Sequence, residues 1–169
     1  MVKKSENKFK YLVLDLDYTL IFCKKINTRK GVRRRFILRP HLFKFLNTLK
    51  QYYILNIFTG GKREYAEKVF KKIKSRNYTF LNRLCFDHLK NGKKVLDKIL
   101  KDPTRIILVD DNENYIENKE NAIIVKPFRG EKDDKVLLKL EEILIGIHRF
   151  IDITEGIKAY KNKIKKMNK

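Results

Sequence analysis

What this chain lacks narrows it first. It has no long apolar run: the longest, AIIV and RIILV, fall far short of the roughly 18 residues that a bilayer span needs, and the lysine-rich start has no signal-peptide core. A soluble intracellular protein, nuclear or cytoplasmic and with no membrane partner, is therefore expected. Cysteine is scarce. With only Cys23 and Cys85 and nothing that points to secretion, reduced thiols are expected rather than a disulfide. Histidine is scarce too; His41 and His88 have no ligand spacing and neither cysteine has a histidine at a suggestive distance, so no catalytic thiol is indicated. The last deficit is acid, with 20 Asp and Glu against 41 Lys and Arg, a net charge of +21. Such a field attracts polyanions, whether RNA, DNA or phosphorylated protein segments. A coding bias towards Lys, Asn and Ile produces the same excess without any partner.

What is present is enough for one core. At 169 residues with 43% apolar content, a single domain is expected, and a monomer. Residues 1–10 are polar and 158–169, ending KNKIKKMNK, strongly basic, so a flexible N-terminus and a basic C-terminal tail are expected to flank a domain over 11–157. Within it, strand-like runs (YLVLDL, YYILNIF, IILV, AIIV) alternate with helix-period segments (LFKFLNTL, EYAEKVFKKI, KVLDKIL, VLLKLEEILIGI). Leu42, Phe45, Leu46 and Leu49 follow helical spacing just after Pro40, and Val136, Leu140, Ile143, Leu144 and Ile147 do so later. This alternation predicts an α/β fold with a largely parallel sheet covered by helices.

In such sheets ligands bind beyond the carboxyl ends of the strands, and three strand ends carry chemistry. The first runs into Asp15-Leu16-Asp17-Tyr18-Thr19, the second into Thr59-Gly60-Gly61, a later one into Asp110-Asp111. Carboxylates gathered at one edge repel each other unless a cation joins them. An all-oxygen set of Asp15, Asp17, Asp110 and Asp111 suits Mg²⁺ better than zinc. Magnesium shares its shell with phosphates, and Thr59 and Gly60, leading into a helix, offer a hydroxyl and a backbone N–H to an anion. Asp15 can then attack phosphorus, while Asp17, on the same side of an extended chain, protonates the leaving oxygen and later deprotonates water. A lysine is needed to balance the charge on Asp15; Lys93 and Lys94 are the candidates.

DLDYTL, RPHLFKFL, FTGGKREYAEKVF, RIILVDDNENY and NAIIVKPF, in that order, resemble the haloacid-dehalogenase superfamily and specifically its FCP/SCP-type branch, over about Tyr11 to Ile147. The resemblance implies a Rossmann-like three-layer fold. It also implies a Mg²⁺-dependent phosphoserine or phosphothreonine protein phosphatase working through an aspartyl-phosphate, with the C-terminal domain of RNA polymerase II as a first substrate. By position it makes Asp15 the nucleophile and Asp17 the acid/base and a carbonyl ligand of the metal. Thr19 stabilises the loop, Thr59 and Gly60 bind phosphate, Lys94 is the lysine, Asp111 is a metal ligand, and Asp110 supports them.

Departures from the pattern bear on substrate. The insertion after the first strand, IFCKKINTRKGVRRRFIL, is short for a sheet that shapes the peptide groove. Tyr18 stands where the family has an acid or Gly, and the phosphate-gripping Arg has no clear counterpart, leaving Lys90 as its stand-in. The run Arg33-Arg34-Arg35 is either a solvated face or a grip on a second phosphate or a nucleic-acid backbone. Two alternatives therefore accompany the protein phosphatase: a phosphatase for nucleic-acid ends and a catalytically silent binding module.

Overall fold

A computed structural model describes residues 9–75 and 77–169 of the protein. All but the last two residues of the N-terminal segment expected to be flexible lie outside the described residues. Lys10 already belongs to the first strand, β1 (Lys10–Leu14). The short insertion folds as an antiparallel hairpin of β2 (Ile21–Thr28) and β3 (Gly31–Leu38), a two-stranded sheet of its own. Then follow helix α1 (Leu42–Leu49), β4 (Tyr53–Phe58), α2 (Arg63–Ile73), β5 (Arg83–Leu84), β6 (Ile106–Asp110), β7 (Ala122–Ile124) and α3 (Val136–His148). The five strands outside the hairpin form one parallel sheet in the order β5-β4-β1-β6-β7.

Both faces of this sheet are buried, which is why its strands read as continuous apolar runs. Side chains alternate across it. Leu12, Leu14, Leu55, Ile57, Ile107 and Val109 pack into a core completed by the apolar stripes of the helices, including Phe45 and Leu46 of α1, Val69 and Phe70 of α2, and Leu140 and Leu144 of α3. Val13, Phe58, Ile106 and Leu108 enter a smaller core on the opposite face, with Leu96 and Ile116. The helical spacing of α1 and α3 holds: every apolar position predicted for them is buried.

The second face departs from expectation. KVLDKIL does not form a helix; only a single 3₁₀ turn, Leu96–Lys98, appears there. The backbone upstream is already committed, because Lys94 N–H donates to Tyr115 O at 2.7 Å and Lys94 O accepts from Glu117 N–H at 3.1 Å. Groups used in that bridge cannot serve a helical ladder, while Leu96 still reaches the smaller core.

The basic C-terminal stretch differs as well. It continues as α4 (Ile153–Ala159) and α5 (Lys161–Met167), with Met167 buried. Asn168 pins the end to the sheet, donating to Ile124 O at 2.8 Å and accepting from Lys126 N–H at 2.7 Å. Ile164 and Met167 give α5 an apolar side that packs on the core, so residues 158–169 fold with the domain rather than trailing from it.

Candidate active site

The chain leaves β1 for β4 on one side of the sheet and later returns to β6 on the other, so a crevice opens at the carboxyl end of β1. Asp15 follows β1 and extends the ladder, its N–H donating to Val109 O at 3.0 Å. Thr59 follows β4 and Asp110 ends β6. A cavity of about 630 Å³ lies over these ends, lined among others by Asp15, Asp17, Thr59, Gly60, Lys94, Asp110 and Asp111. Two expected residues do not line it. Thr19 is fully buried beneath the loop, with its carbonyl held by Arg39. Lys90 closes a tight turn, exchanging backbone hydrogen bonds of 2.9 Å with Lys93 around Asn91 and Gly92.

The two candidate lysines diverge. Lys93 is exposed and pairs with Glu117 at 3.3 Å. Lys94 is 3% exposed, and its Nζ lies 2.6 Å from both Asp15 Oδ1 and Asp110 Oδ2. Burial lowers the Lys94 pKa, but Asp15 and Asp110 outweigh burial and the net direction is upward. Burial also pushes Asp15 up to about 7 against the pull of Lys94, and Asp111 up to about 6, with Asp110 adding to the rise. We take Lys94 as charged, since two carboxylates face it at charge-assisted hydrogen-bond distance.

Asp17 also lines the cavity but is bonded to Tyr65, not to Lys94. Its Oδ1 accepts the hydroxyl of Tyr65 from the first turn of α2. Burial raises the Asp17 pKa, and burial together with this bond raises that of Tyr65, so the phenol remains a donor. Tyr65 also explains one glycine, because a Cβ at Gly61 would lie 2.8 Å from the Tyr65 ring. Thr59 is buried and its Oγ1 accepts from Gly61 N–H at 3.1 Å, which leaves the hydroxyl proton free to donate. Tyr18 adopts a left-handed conformation, φ 59°, and is bracketed by bonds from its N–H to Ile21 O and from Phe128 N–H to its carbonyl, both 2.7 Å. An acid or Gly at this position would suit that backbone better.

Oxygen atoms of Asp15, Asp110 and Asp111 lie within 4.8 Å of one another. Three carboxylates without nitrogen or sulfur make a donor set that fits a hard divalent cation such as Mg²⁺. The carboxylate of Asp17, turned to Tyr65, is not part of this group.

Sequence reasoning missed two supporting residues. Tyr65 carries no signal beyond its place in the first turn of α2. Arg39 lay inside the RPH motif, yet two of its partners, Asp134 and Lys126, come from far along the chain. It is 1% exposed and grips Asp134 with two bonds of 2.9 Å. It also donates to Thr19 O at 3.0 Å and Lys126 O at 2.9 Å, and stacks 5.5 Å from the Phe128 ring. Arg39 thereby ties the loop after β1 to the segment after β7.

The fission yeast RNA polymerase II CTD phosphatase Fcp1 has the same fold, with a TM-score of 0.61 over 94% of this chain and 50% of that one at 18% identity. Sheet order and switch-point carboxylates thus define the class as a haloacid-dehalogenase-like α/β fold. The model of the NLI interacting factor-like phosphatases matches residues 10–154, and the chain belongs to that family. It is 33% identical over 132 residues to the mitochondrial import inner membrane translocase subunit TIM50 of Candida glabrata, covering 74% of this chain and 27% of that protein. It is 29% identical over 157 residues to CTD small phosphatase-like protein 3 of Caenorhabditis elegans, covering 80% of this chain and 53% of that protein. The chain therefore spans only about a quarter to a half of the length of these relatives.

Proposed function

We propose that this protein is a Mg²⁺-dependent phosphoserine or phosphothreonine protein phosphatase that works through an aspartyl-phosphate on Asp15. The observation that carries the reading is the buried triad at the switch point, Asp15 and Asp110 joined by Lys94 at 2.6 Å, beside the half-buried Asp17. In this reading Asp15 attacks phosphorus while Lys94 offsets its charge. Asp17 gives a proton to the leaving serine or threonine oxygen and then takes one from the hydrolytic water, its geometry held by Tyr65. The Thr59 hydroxyl and Gly60 N–H bind the non-bridging oxygens. Asp15, Asp111, Asp110 and the Asp17 carbonyl would hold the cation, which supplies charge neutralisation between nucleophile and phosphate. Thr19 supports the loop rather than touching substrate, and Lys90 is left without a role.

The first candidate substrate is a phosphorylated segment such as the C-terminal domain of RNA polymerase II, on the strength of the relatives' names. Para-nitrophenyl phosphate hydrolysis with and without Mg²⁺ tests the chemistry. Wild type is expected to turn over only with the metal, and Asp15→Asn to lose at least roughly 10³-fold in rate. Absence of turnover in metal-loaded wild type would remove the phosphatase reading. A binding module would then take its place, a role favoured by the likeness to a translocase subunit. The net charge of +21 favours a nucleic-acid-end phosphatase instead. In that case KM for an oligonucleotide end would rise steeply with salt.

A further inference from the structure

Between Asp17 and Glu64 the sequence contains no acidic residue; every charge in that stretch is a Lys or an Arg. The β2–β3 hairpin lies inside it. Its register sets Lys24 opposite Arg35 and Lys25 opposite Arg34. Cross-strand partners share a face, and like charges in that relation are destabilising. Among the described residues, none of Lys24, Lys25, Arg33, Arg34 and Arg35 makes an ion pair, whereas Arg39, one residue past β3, is paired within the chain.

A second cavity, of about 650 Å³, opens on this hairpin, and Arg33, Arg34 and Arg35 line it together with Lys72 of α2, Ile26 and Phe36. Consecutive strand residues point to opposite faces, so three in a row can border one cavity only where the strand's edge opens into it. That edge is bare among the described residues: 22–37 make no backbone hydrogen bonds with them except those between β2 and β3. The cavity shares no lining residue with the one at Asp15, but Tyr65 joins the two. Its ring lies 5.6 Å from that of Phe36 and 5.8 Å from the Arg34 guanidinium, and its hydroxyl is bonded to Asp17.

We infer that the hairpin is a second-anion subsite, which docks an extended peptide along β3 and takes, between Arg33, Arg35 and Lys72, a phosphate beyond the one presented to Asp15. The inference rests on the phosphatase reading and narrows its substrate class to multiply phosphorylated segments. Four cations that line one cavity, none of them ion-paired among the described residues, suit an external polyanion. A peptide uses the rest of the cavity as well: its backbone can pair with the bare edge of β3, and its side chains can meet Ile26 and Phe36. A nucleic-acid backbone would use the cations alone.

The test compares fluorescent decapeptides carrying one or two phosphoserines. Binding is read by anisotropy with the Asp15→Asn protein, and turnover with wild type. The second phosphate is expected to tighten binding and lower KM by about tenfold or more, the equivalent of one charge-assisted contact, with kcat unchanged. Arg33→Gln/Arg35→Gln should erase that difference and leave para-nitrophenyl phosphate turnover as in wild type; Arg34 is kept because it packs on Tyr65. Lys72→Gln, on α2, should weaken the same preference, and it serves if the double variant fails to fold. Equal affinity and KM for the two peptides would overturn the inference. So would a 5′-phosphorylated RNA decamer that binds more tightly than the doubly phosphorylated peptide and loses that advantage in the double variant. Loss of all turnover in wild type would overturn only the phosphatase reading, since anisotropy decides the hairpin without catalysis.

Discussion

Lys94 and the arginines of β3 carry the same charge in opposite circumstances. Lys94 is enclosed, 2.6 Å from each of two carboxylates; Arg33, Arg34 and Arg35 are exposed and unpaired among the described residues, and Arg34 and Arg35 stand opposite lysines. A charge taken out of water must find its partner inside the chain, because leaving it alone is costly. A charge left in water has no such need and can meet its partner from outside. The contrast separates charges that build the site from charges available to whatever reaches it. Arg39 makes the same point over a short distance: a few residues beyond the exposed run, it is buried and fully engaged with Asp134, Thr19 and Lys126.

The largest effect should come from breaking the buried side of this contrast. Lys94→Met leaves Asp15 and Asp110 facing each other without a cation, and a loss of about 3–5 kcal/mol of stability is expected in urea denaturation. Combining it with Asp15→Asn should recover part of that loss, since only one carboxylate then remains unpaired; an additive double variant would mean that the three side chains do not act as a unit. Arg39→Lys comes next. It keeps the charge but cannot reproduce the fork on Asp134, and a loss of about 2 kcal/mol is expected, again by denaturation. A silent Arg39→Lys would show that charge alone suffices there.

On the exposed side, Arg33→Gln/Arg35→Gln should leave stability within about 0.5 kcal/mol of wild type. Raising the salt from low to physiological strength should raise the melting temperature of wild type more than that of the variant, because salt screens the hairpin's repulsion. A smaller effect separates buried from exposed titration. Burial and nearby Lys10 lower the His148 pKa, and its ring packs edge-on against Tyr52 and Tyr53. Its neutral form is therefore favoured in the folded protein. The unfolded chain takes up a proton below pH ~6.5, so this contribution is complete above that pH and is lost as pH falls through the lower folded value. Between pH 7.5 and 5.5 wild type should lose slightly more stability than His148→Gln in paired urea titrations; equal losses would dismiss the group.

The sequence by itself determined the features that depend on near neighbours. Apolar runs bounded by Asp15, Thr59 and Asp110 read as buried parallel strands, and the spacing of Leu42, Phe45, Leu46 and Leu49 gave α1 its inward stripe, because strand and helix periods are properties of a few consecutive residues. The crevice was legible for the same reason, since each of its loops directly follows a strand. Only the tertiary structure decided the rest. It enclosed Lys94 between Asp15 and Asp110 and left Lys93 exposed, replaced the KVLDKIL helix with a bridge to Tyr115 and Glu117, folded residues 158–169 onto the sheet, and paired Arg39 with Asp134 and Tyr65 with Asp17. In each case the deciding partner lies far along the chain or across a loop, where no local period reaches. The energy of a buried charge or a committed backbone group is fixed by what surrounds it once the chain has closed.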